Sequence, residues 1–202
     1  MSRKRERIII VGGDAAGMSA ASQVRRLQPD AEVVAFERTT HTSYALCGLP
    51  YLIAGLVDDP SKLVARTPEA HRRAGIDLRL RSEVIGIDLD RREVIVWDAE
   101  ARREYREPFD RLVLATGARP RTLAVPGREA AGIFTLHSLD DALALAAWLQ
   151  NEHPRQVVVV GAGYVGIEVA EAFVTRGLPT TVLEAAPHVL TLLDPDMAEL
   201  VE

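Results

Sequence analysis

Two kinds of apolar spacing alternate along the chain. Short β-branched runs end in glycine, and longer stretches with apolar residues at helical spacing follow them. Arg7 to Val11 is the first run and predicts a strand buried on both faces of a parallel sheet. Gly12-Gly13-Asp14-Ala15-Ala16-Gly17 stops it, and Met18 to Leu27 predicts a helix whose Ala20, Ala21 and Ser22 suit close packing. Pro29-Asp30 ends that helix, and Ala31 to Phe36 predicts a second buried strand with Glu37 at its carboxyl end. A helix over Pro68 to Arg73, closed by Gly75, and a strand over Ile76 to Leu80 come next. Glu83 to Leu89 and Glu93 to Asp98 flank Asp90-Arg91-Arg92 as a hairpin, and Tyr105 to Asp110 predicts a further short strand. Arg111 to Leu114 is again a buried run, entering the small-residue turn Ala115-Thr116-Gly117.

After a linker at Val125-Pro126-Gly127 the opening pattern repeats. Ser138, with Asp140 and Asp141 behind it, predicts a helix start, and the helix runs to about Asn151. Gln156 to Val160 predicts a buried strand, Gly161-Ala162-Gly163-Tyr164-Val165-Gly166 a turn, and Ile167 to Arg176 a helix with Gly177 past its end. Thr180 to Leu183 is the closing strand, with Glu184 behind it. Strand, glycine turn, helix, strand and acid in that order make a Rossmann-type unit. Glycines let backbone close on a pyrophosphate, the helix start meets its charge, and an acid about 20 residues on accepts from ribose hydroxyls. The second turn matches G-x-G-x-x-G in full, whereas the first has Asp14 at the middle glycine and so brings a carboxylate close to a phosphate site. Ala185-Ala186-Pro187 offers no arginine to a 2′-phosphate, which favours NADH over NADPH. The expected class is therefore α/β: two Rossmann-like dinucleotide-binding units with a β-hairpin insertion, residues 1–124 forming the first and 125–202 the linker helix and the second.

Composition narrows the rest. Of 202 residues 48% are hydrophobic and 5% aromatic, enough for a core built from Val, Leu, Ile and Ala. A net charge of −5 gives no footprint for nucleic acid or an anionic membrane surface. No apolar run reaches membrane-spanning length. The five histidines show no metal-ligand spacing, so no metal is expected. One cysteine, Cys47, excludes an internal disulfide and fits a reducing, cytoplasmic setting. Taken alone it reads as a small buried hydrophobe. Its place, beyond the first acid and past the carboxyl end of a strand, is where ligands of such sheets sit.

Two dinucleotide units, an Ala-Thr-Gly strand end between them and the segment Ser43-Tyr44-Ala45-Leu46-Cys47-Gly48-Leu49-Pro50-Tyr51 together resemble the pyridine nucleotide-disulfide oxidoreductases. The resemblance is to the single-cysteine branch of coenzyme A-disulfide reductases and NADH oxidases or peroxidases. It implies that the first unit holds FAD through Gly12, Gly13, Ala16, Gly17, Glu37, Arg38, Val84, Ala115, Thr116 and Gly117. It implies NADH at Gly161, Gly163, Tyr164, Val165, Gly166, Glu168 and Glu184, with Tyr164 gating the nicotinamide pocket. Ala21 to Leu27 is similar to the helix that contacts coenzyme A, which makes Gln23, Arg26 and Ser43 candidate substrate contacts. Cys47 is then the redox-active thiol that takes electrons from NADH through FAD and passes them to a disulfide such as coenzyme A disulfide.

Departures from the relatives qualify this. Ala15 stands where oxidase and peroxidase types carry a histidine base, which leans toward a disulfide reductase. Leu46 stands where some reductases carry asparagine. The relatives continue into a C-terminal dimerisation domain, so a homodimer is expected of the full-length form and that domain is missing here. The other readings are an NADH oxidase cycling Cys47 through a sulfenic acid, a reductase serving a protein partner, and an inactive nucleotide-binding fragment.

Overall fold

The apolar runs at Arg7–Val11, Glu32–Phe36, Ile76–Arg79 and Arg111–Leu114 form parallel strands, whose β-branched and other apolar side chains pack on the pleated surface. The structure is a computed structural model and describes residues 5–202. In chain order its elements are β1 (Arg7–Val11), α1 (Ala15–Leu27), β2 (Glu32–Phe36), α2 (Leu49–Ala54), α3 (Pro68–Arg73), β3 (Ile76–Arg79), β4 (Ser82–Asp88), β5 (Glu93–Asp98), β6 (Arg103–Pro108), β7 (Arg111–Leu114), α4 (Leu139–Glu152), β8 (Val157–Val160), α5 (Tyr164–Thr175), β9 (Thr180–Leu183) and α6 (Pro195–Ala198). The chain divides into two units. The first joins the residues through Tyr44 to Val64–Ala118, and the second joins Ala45–Leu63 to Arg119–Glu202.

In the first unit the parallel sheet has the order β3-β2-β1-β7. Ile9 pairs with Val34 on one side and Leu112 on the other, so β1 is central. Alternation along the strands gives each face its own core. Ile10, Val33, Ala35, Ile76 and Leu78 meet Met18 and Ala21 of α1 on one face. Ile9, Val11, Val34 and Phe36 meet Val94, Val96 and Phe109 on the other. The strands β4-β5-β6 form an antiparallel sheet, the expected hairpin extended by one strand. That third strand is Arg103–Pro108, two residues earlier than its pattern suggests, because Tyr105 registers opposite Val96. Arg79 ties β3 to β6 through Glu107 at 2.5 Å and Tyr105 Oη at 3.2 Å. Burial opposes its charge, but hydrogen bonds to Asp77, Glu107 and Tyr105 hold its pKa above the ordinary arginine value.

In the second unit β8 and β9 pair in parallel, Val157 opposite Thr180. Ser138 caps α4 with a capping box closed by Asp141, as the sequence predicts. α2 packs on α4 and α5, and Arg176 Nη1 donates to the Ile53 carbonyl near the end of α2 at 2.7 Å. Helices α1 and α5 both begin three residues earlier than their apolar periodicity suggests, at Ala15 and Tyr164 rather than Met18 and Ile167. The cause is the last glycine of each turn. Gly17 and Gly166 sit inside the first helical turn, where a Cβ would lie 1.8 Å and 1.9 Å from the carbonyl oxygens of Gly12 and Gly161.

Candidate functional site

Each unit builds its glycine turn in the same way. Gly12 N–H donates to Phe36 O at 2.9 Å, and Gly161 N–H to Leu183 O at 2.7 Å. Both glycines hold positive φ, +112° and +101°, a region open mainly to glycine. Behind each turn the acid fixes the next residue. Glu37 Oε2 accepts from Gly13 N at 2.8 Å, and Glu184 Oε2 accepts from Ala162 N at 2.7 Å. Glu37 Oε1 also accepts from Thr39 N, and Glu184 Oε1 from Ala185 N and Ala186 N. The N–H groups of Ala162, Ala186 and Ala185 hold the Glu184 carboxyl below the usual glutamate value. A carboxylate has about four lone-pair sites, so both acids keep acceptor capacity for ribose hydroxyls.

The two helix starts fit a pyrophosphate. Neither Asp14 nor Gly163 caps its helix with a side-chain hydrogen bond, and neither first turn carries an acid. Uncapped N–H groups and the positive end of the helix dipole therefore face outward. At Gly163 an added Cβ meets nothing within 4 Å, so the backbone is open to close approach. In the first unit Ala115 O lies 2.0 Å from where a Gly12 Cβ would be, which places the Ala115-Thr116-Gly117 turn against the glycine turn. Val84 lies on β4 beside a bulge and packs on the core around Phe36. Arg38, Ala16, Tyr164, Val165 and Glu168 are exposed. Gln23 and Arg26 hydrogen-bond to one another on the outer face of α1.

Asp14 is half-buried between the helix start and the residues that lead to Cys47. Its Oδ1 accepts from Tyr44 N at 3.2 Å, and burial together with the charge of Glu37 raises its pKa. Next to it the buried Thr42 hydroxyl donates to Gly13 O. These two bonds fasten the residues leading to Cys47 onto the first glycine turn. Ser43 follows at φ +49°, with its Oγ 2.8 Å from Nε2 of buried His71. Neither Thr42 nor His71 was among the sequence candidates. A threonine beside a glycine turn and a histidine in a short helix carry no pattern of their own.

Cys47 is exposed and occupies the 3-10 turn Leu46–Gly48 that leads into α2. The buried-hydrophobe alternative is thereby removed. Gly48 behind it lies against Leu63, where a Cβ would fall 2.4 Å from Cδ2. Among the described residues no group of three or more His, Cys, Asp or Glu is placed to hold a metal. No described helix is long and apolar enough to cross a membrane.

A family model described as pyridine nucleotide-disulphide oxidoreductase matches residues 6–202. The NAD(P)H coenzyme A polysulfide/persulfide reductase of Pyrococcus horikoshii is 39% identical over 200 residues, covering 98% of this chain and 44% of that protein. The coenzyme A disulfide reductase of Staphylococcus aureus is 36% identical over 192 residues, covering 95% of this chain and 43% of that protein. The crystal structure of reduced Bacillus anthracis CoADR-RHD superposes with a TM-score of 0.95 at 34% identity, over 98% of this chain and 36% of that one. This chain thus spans under half the length of the relatives it matches, and the resemblance read from its motifs is borne out.

Proposed function

Because the chain belongs to the pyridine nucleotide-disulphide oxidoreductase family, we propose that it carries the flavin and nicotinamide sites of an NADH-dependent coenzyme A disulfide reductase. Cys47 is its redox-active thiol. The observation that carries this reading is the pair of like-built, uncapped glycine turns in a chain whose one cysteine is exposed. Gly12, Gly13, Ala16, Gly17, Glu37, Arg38, Val84 and Ala115 to Gly117 hold FAD, and Gly161, Gly163 to Gly166, Glu168 and Glu184 hold NADH. Bound FAD supplies two-electron transfer between nicotinamide and sulfur. The net reaction is NADH, a proton and a disulfide giving NAD and two thiols.

The residues of this chain bind and position. Cys47, as thiolate, attacks one sulfur of the substrate disulfide. A Cys47–substrate S–S bond forms, the substrate's own S–S bond breaks, and the second sulfur leaves as thiolate with the electron pair. Arg26 suits a phosphate of coenzyme A by charge and geometry, and Gln23 and Ser43 offer hydrogen bonds. The protein works as a homodimer in a reducing compartment, the cytoplasm. Ala15, lying in the first glycine turn, brings no proton acceptor, which favours a disulfide over oxygen as acceptor.

Rapid-mixing reduction by NADH followed by coenzyme A disulfide tests this in the full-length holoenzyme. Oxidation of the reduced enzyme by the disulfide is expected for wild type and not for Cys47→Ser. Equal rates for the two, or turnover with oxygen alone, would sink the proposal.

A further inference from the structure

We propose that His71 is a positioning residue for Ser43: its Nε2–H donates to Ser43 Oγ and leaves the Ser43 hydroxyl proton free to be donated to the substrate. This rests on the assignment of Ser43 to the substrate in the proposed function.

Ser43 Oγ lies between two other side chains, His71 and Thr42. His71 is 2% exposed, and its ring lies in the first unit on α3. Burial and the nearby positive charge of Arg66 lower its pKa, so the ring is neutral at physiological pH. A neutral imidazole carries one N–H. Its Nδ1 is buried and meets no hydrogen-bond partner among the described residues, while Nε2 lies 2.8 Å from Ser43 Oγ. A buried N–H left without an acceptor is costlier and rarer than an unused lone pair. The proton therefore sits on Nε2 and is donated to Ser43 Oγ.

The hydroxyl network on the other side is equally constrained. Thr42 is 1% exposed and spends its proton on Gly13 O. Its oxygen lies 3.4 Å from Ser43 Oγ, too long for a good O–H···O bond. Ser43 Oγ thus receives one proton and owns another that has no strong acceptor among the described residues. Ser43 is partly exposed, so this proton can reach a ligand.

The backbone supports the same assignment. Ser43 has φ +49°, a conformation that a non-glycine residue holds at some cost and that clusters at ligand sites. Ala65 N donates to Ser43 O at 2.8 Å, and Tyr44 bridges to Val64, so the strained residue is pinned on both sides. His71 fixes the side chain of a residue whose main chain is already fixed. The ligand class it prepares for is a hydrogen-bond acceptor on a thiol-bearing substrate, a sulfur, carbonyl or phosphate oxygen.

Two measurements on the holoenzyme decide it. Long-range proton–nitrogen correlation of the imidazoles reads the tautomer of His71 directly, without turnover. A protonated Nε2 and bare Nδ1 are expected, and a protonated Nδ1 overturns the proposal. Steady-state kinetics with coenzyme A disulfide then tests the consequence. His71→Phe should raise the KM for the disulfide about three- to tenfold with the KM for NADH and flavin content unchanged. His71→Gln, whose amide N–H can donate to the same oxygen, should restore most of the loss. In a Ser43→Ala background His71→Phe should add nothing. A loss that is additive with Ser43→Ala, or that falls equally on NADH, shows His71 to be structural only and overturns the inference. If Ser43→Ala itself leaves the disulfide KM unchanged, the Ser43 assignment fails and this inference with it. Should His71→Phe not fold, the tautomer of the wild-type ring still decides.

Discussion

Gly163→Ala separates what the second turn needs for folding from what it needs for its ligand. Gly163 has φ −75° and ψ −177°, extended backbone that any residue adopts, and an added Cβ meets nothing within 4 Å. Two small terms oppose one another. Alanine is a poorer N-cap than glycine by about 0.5–1 kcal/mol, and a stiffer unfolded chain returns about 0.4–1 kcal/mol. Stability should therefore stay within about 0.5 kcal/mol of wild type. A bound pyrophosphate has no such freedom. The methyl group occupies the open space beside the uncapped N–H groups and holds the phosphate off by van der Waals contact. Losing one charge-assisted hydrogen bond, about 1.5–3 kcal/mol, raises the Kd for NADH about ten- to a hundredfold. Urea denaturation and calorimetric titration with NADH measure the two quantities on one sample. A folded Gly163→Ala protein that binds NADH like wild type would refute the assignment of this turn to the pyrophosphate. Gly12→Ala is the contrasting control. There φ is +112° and the Cβ would lie 2.0 Å from Ala115 O, so a loss of at least about 2 kcal/mol is expected before any ligand is added.

The other expectations concern the thiol and the first turn. Cys47→Ser should abolish disulfide reduction while leaving NADH-driven reduction of an artificial dye intact, as an absorbance assay with each acceptor would show. Asp14→Asn keeps an acceptor for Tyr44 N but removes a charge whose folded pKa is raised by burial and by Glu37. A raised carboxyl pKa means stability present below the ordinary value of 3.8 and lost as pH rises through the folded value. The variant should thus gain stability over wild type as pH climbs above 3.8 and hold a constant gain near neutrality, and urea midpoints across that range check it. Thr42→Val leaves Gly13 O without the buried hydroxyl that serves it, at about 1–3 kcal/mol. It should also increase flavin loss on gel filtration, and unchanged retention would show that the anchor does not serve the flavin turn.

Much of this was legible because repetition carries information that a single motif lacks. The two apolar runs, their glycine turns and the acids Glu37 and Glu184 identify each other, and the structure gives them matching hydrogen bonds. Apolar periodicity places both helix starts three residues late because it is blind to a glycine that belongs to both a turn and a helix. Thr42, His71 and Arg176 were invisible for another reason: their partners are a carbonyl of Gly13, the hydroxyl of Ser43 and a carbonyl of Ile53, all distant in sequence or backbone in kind. Asp14 departs from the glycine pattern in the sequence itself. Its carboxylate is engaged with the Tyr44 N–H, a bond that only a folded chain can show.

The double duty of Glu184 bears on any attempt to retune the nucleotide preference. The same carboxylate that would receive a ribose also holds the N–H of Ala162, a residue with no exposed surface. Replacing Glu184 by a small neutral side chain to admit a 2′-phosphate would remove the side-chain acceptor of that donor. On the proposed assignment, nucleotide selectivity and turn geometry share one carboxylate. A redesign therefore has to supply a new acceptor for Ala162 at the same time as a cation for the phosphate, and single substitutions at this position should trade affinity for neither nucleotide cleanly.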